Sequence, residues 1–188
     1  MKKLAALILS LLMLFSFAAC KKEEEKQKEK PAHSIDVEYY AKIGQIPEHK
    51  YHIGSSAEDM KEAFKKEGEE LAESSEDEHI HDVYSFIEED DYCILVYESA
   101  NYYYKDDGKI SAVISLDSSY DFKIGYLPKQ ITDVLGESEL KKGDKETIFF
   151  LPMPDNYKYL EYTFGENTLL FVFEQNALCA TALIGPNF

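Results

Sequence analysis

Apolar residues along this chain keep two different periods. In YHIGSSAEDMKEAF (51–64), Met60, Ala63 and Phe64 recur at i, i+3 and i+4, the spacing of one helical stripe. The same spacing returns at an offset of 71 residues in DFKIGYLPKQITDVL (121–135), at Ile131, Val134 and Leu135, with Ile53-Gly54 matched by Ile124-Gly125. The sequence also marks where each helix begins. Ser55-x-x-Glu58 has capping-box spacing, Pro128 suits a first helical turn, and Gly136 stops the second helix.

After each helix the period shortens to two. Strands are expected near 82–87, 92–98, 102–105 and 109–116, and again near 146–151, 157–164, 168–174 and 178–184. Turn residues separate them, among them Asp106-Asp107-Gly108, an Asp-Gly hairpin signal. Such short connections cannot form parallel crossovers, so the pairing must be antiparallel. The expected fold class is α+β: two tandem repeats of a short helical segment plus a four-stranded antiparallel meander, at about 44–117 and 118–185, within one domain spanning 32–188.

The first thirty-one residues follow another pattern. Lys2 and Lys3 precede an apolar run, Leu4–Ala19, interrupted only by Ser10 and Ser16, which is the layout of a signal peptide over 1–19. The run is shorter than the about 20 residues that span a bilayer. Lys21–Lys30 then holds five Lys, four Glu and one Gln, with no apolar side chain to offset its ordering entropy. Residues 20–31, closed by Pro31, read as a charged flexible tether.

Two resemblances follow from these residues. Phe17-Ala18-Ala19-Cys20 resembles the bacterial lipobox, with Phe17 where that family usually carries Leu. The likeness implies that the Cys20 thiol takes a diacylglycerol, with palmitate-type chains, and becomes the mature N-terminus. Two acyl chains anchor stably where one is marginal. The implied localisation is the cell membrane, lipid-anchored on its extracytoplasmic side. The tandem helix-then-meander plan over about 44–185, with Gly54 and Gly125 at matching positions, resembles the fold of β-lactamase inhibitory protein (BLIP-like) and of the SmpA/OmlA-type lipoproteins. It also looks like a family of bacterial lipoproteins of unknown function. No inhibitory loop carries over, so the resemblance implies a non-enzymatic binding module.

Composition narrows the partners. The chain has 36 acidic residues against 20 lysines, and losing Lys2 and Lys3 with the signal leaves 18 lysines. With no arginine, so acidic a surface is unsuited to nucleic acid or to phosphate clamping. Apart from Cys20, only Cys93 and Cys179 remain, and whether they are bridged stays open.

Candidate chemistry is sparse. His79-x-His81, among Glu76, Asp77, Glu78 and Asp82, is the sharpest metal-like spacing, set against a solvated acidic loop. No cofactor motif is present, and Asp106-Asp107-Gly108 does not fit a Ca²⁺ loop. The candidate binding surface is a tyrosine-rich face. Alternation puts Tyr102 and Tyr104 together on one strand and Tyr157, Tyr159 and Glu161 together on another, away from the helices. The alternative is that SIDVEYY (34–40) covers that side. The expected function is an anchored binding module for a protein or envelope ligand. An envelope-polymer hydrolase using acidic residues, or a structural envelope-assembly factor, is the alternative.

Overall fold

The apolar strands among the described residues enter one sheet. The computed structural model describes residues 33–74, 84–88, 92–143 and 157–188. Among them are α1 (Val37–Lys42), α2 (Ala57–Ser74), β1 (Tyr84–Glu88), β2 (Cys93–Tyr97), β3 (Ala100–Tyr104), β4 (Ile110–Ser115), α3 (Pro128–Leu135), β5 (Lys141–Lys142), β6 (Lys158–Phe164), β7 (Asn167–Glu174) and β8 (Ala177–Ile184). The eight strands form a single antiparallel sheet in the order β1-β2-β3-β4-β8-β7-β6-β5.

This corrects the expected fold class. The α+β pair of helix-plus-meander repeats is replaced by one sheet-dominated architecture with few short helices. The physical reason lies in β4 and β8. β4 is buried at all six positions, and β8 alternates apolar residues onto both faces. Neither strand tolerates an open edge. They pair with each other, Ala112 opposite Ile184, Val113 opposite Leu183 and Ile114 opposite Ala182. The strand expected at 146–151 lies outside the described residues; among those described, the two-lysine β5 is the last strand of the sheet on that side.

The three helices among the described residues pack on one face. Val37 and Ala41 of α1, Met60 and Phe64 of α2 and Ile131 of α3 share a buried cluster with Leu95, Val113, Leu169 and Leu183. The segment 34–40 therefore belongs with the other helices and does not cover the opposite side. That face is also buried, at Ile94, Tyr103, Ala112, Leu170, Val172 and Ala182, with Phe188 edge-on to Tyr103 at 5.9 Å.

Local chemistry sets the helix ends. Ser56, not Ser55, caps α2, accepting from the Asp59 amide at 3.2 Å, while the Ser55 hydroxyl accepts from His52 N–H. Asp36 caps α1 through Tyr39 N–H at 3.0 Å. At the other end of α1, buried Asn167 donates to the carbonyls of Ala41 (2.9 Å) and Lys42 (3.2 Å), tying the helix to β7. Gln130 accepts from Leu127 N–H at 2.8 Å ahead of Pro128, and Gly136 closes α3 with φ +95°.

Phe64 is the main plug of α2. Its ring stacks on Tyr97 at 4.1 Å and meets Tyr51 edge-on at 5.4 Å. Phe64→Ala is expected to destabilise by about 3–5 kcal/mol, the range for a buried phenylalanine truncation. Denaturant unfolding checks it, with exposed Lys65→Ala as the control that stays within about 0.5 kcal/mol of the parent. A silent Phe64→Ala would make α2 peripheral.

Candidate interaction surface

The tyrosines of the expected platform are buried. Tyr102 is 1% exposed, Tyr104 7%, Tyr157 2% and Tyr159 9%. They also divide between the two faces: Tyr102 and Tyr104 pack with the helices, Tyr157 and Tyr159 on the opposite side. The expected tyrosine-rich open face is corrected on both counts. β3 is buried at every position, so alternation there separates one core from another and not core from water. Burial, reinforced by the negative charge of Glu98, also holds the Tyr102 hydroxyl well above its ordinary pKa.

Glu161 shares the face of Tyr159 and is half-buried. Its carboxylate accepts from Lys141 Nζ at 2.9 Å, and that ammonium also sits 5.9 Å from the Tyr159 ring. The pair fastens short β5 to β6, a structural use of the carboxylate. Cys93 and Cys179 are free thiols on opposite faces of the sheet. Cys20, His79 and His81 lie outside the described residues, and among those described no three His, Cys, Asp or Glu groups gather as metal ligands. Asp107 accepts from Lys109 N–H at 3.1 Å and so supports the hairpin turn. A small open depression beside it, lined by Ile53, Asp107, Lys109 and Ser111, has a volume of about 70 Å³.

What the sheet does expose is an edge. Across the registers, Leu183, Val113, Tyr102 and Leu95 form one apolar row on the helix face, and it ends at Phe86. On the other face Ile184, Ala112, Tyr103 and Ile94 form a second row, and it ends at Ile87. Phe86 is 44% exposed and Ile87 42%. Among the described residues, β1 pairs only with β2. Its outer backbone groups therefore have no strand partner there, the situation in which a sheet accepts another strand. Lys61 of α2 sits over the Phe86 ring at 4.7 Å and the Tyr104 ring at 5.1 Å, holding Phe86 against the sheet. A hydrogen bond with the Tyr104 hydroxyl raises the lysine's pKa, so it stays cationic. Among the described residues, the far edge is a strand of only two residues, both lysine, a usual defence of a sheet edge.

No protein-family profile matches the chain, and no curated protein matches it. One solved structure aligns with it: a DUF4309 family protein, YjgB, from Bacillus subtilis subsp. subtilis str. 168. The two share 16% identity and a TM-score of 0.48, covering 79% of this chain and 93% of that one. A likeness at that level carries no weight for fold or function.

Sequence reasoning placed a strand over Phe86 and Ile87 but did not see that it is an edge. Two adjacent apolar residues in YSFIE signal a strand with both faces in use; which strand stands last is decided by pairings far away in sequence.

A second cluster lies where the described chain begins. The loop 117–122 carries consecutive left-handed residues, Tyr120 (φ 55°) and Asp121 (φ 64°), and is clamped by the 33–49 segment. Tyr120 donates to the Gln45 carbonyl at 2.8 Å, Ser34 Oγ donates to Asp121, and His33 stacks on Phe122 at 4.5 Å. Nε2 of both His33 and His49 is buried without a partner. Burial lowers both histidine pKa values, against the opposing pull of Asp121 on His33 and of Glu98 and Asp117 on His49. A lowered folded-state pKa means that the neutral ring is favoured in the fold. The contribution is complete above about pH 6.5 and is lost as pH falls below it. Burial raises the pKa of Glu48, which offsets part of the loss as pH approaches 4.5. The melting temperature should therefore fall between pH 7 and pH 5, and His49→Phe should flatten that slope. An unchanged slope in His49→Phe would remove His49 from the account.

Proposed function

We propose that this chain is a lipid-anchored, extracytoplasmic binding module that holds a protein partner along β1. The observation that carries the reading is the edge that has no strand neighbour among the described residues, where two apolar rows end at partly exposed Phe86 and Ile87. A neighbouring strand there satisfies backbone groups and covers both side chains at once, which is how extended segments are recognised by strand addition. The anchor half of the reading rests on Phe17-Ala18-Ala19-Cys20 and on the charged run to Lys30, which distances the domain from the membrane. Two-chain anchoring confines the module to a surface and raises its effective concentration towards anything held there.

One experiment tests both halves. The full-length chain, with a photoreactive residue at position 87, is expressed in cells fed a clickable fatty acid and irradiated. The expected result is a discrete protein adduct that also carries the lipid label, with the label absent in Cys20→Ala. A photoreactive residue at exposed Lys66 on α2 should give no such adduct. Label that persists in Cys20→Ala contradicts the anchor; equal adducts at positions 66 and 87 contradict the surface.

A further inference from the structure

We infer that the segment taken up by β1 is an extended stretch of another protein with two adjacent apolar residues between basic flanks. This rests on β1 being the binding edge, and it deepens that reading by stating the chemistry of the partner.

The adjacency follows from the register. Phe86 and Ile87 are neighbours in sequence, so they project to opposite faces of the sheet, and each terminates a buried row. An added strand continues both rows only if consecutive residues are apolar, one for each face. A segment that alternates apolar and polar residues covers one row and puts a polar group against the other. The incoming strand must also keep its backbone N–H groups, so proline is excluded from its centre.

The basic flanks follow from charge. The chain carries a net charge of −16 and has no arginine. The last residue of β1, exposed Glu88, opens the sequence run Glu88-Glu89-Asp90-Asp91. An acidic partner strand is repelled at this edge, and a cationic one is drawn to it. The same field argues against a second copy of this chain. Antiparallel self-pairing centred on Phe86 brings two such acidic molecules edge to edge. The chain's own residues 21–30 supply lysines but no apolar pair, so they cannot continue either row.

The test uses the full-length processed chain in neutral detergent and a fluorescent peptide with a central Thr-Val-Ile-Thr between paired lysines. Two further peptides serve as comparators: one with glutamates replacing the lysines, and one N-methylated through its centre. At low ionic strength the lysine-flanked peptide should bind about tenfold more tightly than the glutamate-flanked one, with the gap closing in about 1 M salt. N-methylation should abolish binding, and Ile87→Ser should weaken it several-fold while the melting temperature stays close to the parent's. Phe86→Ser serves as a second variant if Ile87→Ser fails to fold. Equal binding of the two charged peptides, still weakened by Ile87→Ser, overturns the partner chemistry and leaves β1 as the binding edge. Binding indifferent to Ile87→Ser, Phe86→Ser and N-methylation overturns both. A dimer in sedimentation that Ile87→Ser dissolves replaces the foreign partner with a second copy and also overturns the inference.

Discussion

The antiparallel contact between β4 and β8 is the constraint on which the rest of the structure depends. Both strands are apolar on both faces, and only a neighbour on each side satisfies them. Their pairing turns two runs of strands into one sheet and lines up two apolar rows that run to β1, one from Leu169 of β7 and the other from Ile184 of β8. It also decides where the weak places fall. With β4 and β8 in the middle, the first strand of the first run and the short β5 of the second become the two ends. The helices then have one common face to cover, which is why α1, α2 and α3 share a single cluster.

The ends differ in kind. Among the described residues, the β5 end finishes in two lysines, one of them paired with Glu161, and so presents charge and little backbone. At β1 five residues of strand finish in Phe86 and Ile87, with Lys61 resting on the inner ring. A long apolar edge is a liability unless it is used or covered. The net charge of −16 lowers the liability towards copies of the same chain while leaving the edge accessible to a cationic partner. One feature of the sequence thus both restrains self-association and selects the partner.

Much of the local structure was legible before the fold was known. Met60, Phe64 and Ile131 gave their helices away by spacing, and Pro128, Gly136 and the Asp-Gly turn marked boundaries that the structure keeps. Signals of this kind are short-range, set by rotamers, caps and backbone sterics within a few residues. The α+β repeat plan failed at a contact between residues about 70 apart, which no local period encodes. The tyrosine face failed for a related reason. Alternation tells two faces of a strand apart but does not say that one is wet, and at Tyr102, Tyr104, Tyr157 and Tyr159 neither is. Phe86 and Ile87 looked like ordinary strand residues because edge status belongs to the sheet as a whole.

Hydrogen exchange along β1 in the isolated full-length chain tests the central claim most directly, because outward amides of an open edge have no internal acceptor. The account predicts fast exchange for the outward-facing amides of Tyr84–Glu88, alongside strong protection throughout β4 and β8. Slowed exchange of those β1 amides is predicted once a partner strand is bound. If they are already as protected in the isolated chain as those of β4, the edge is covered from within and the binding surface lies elsewhere.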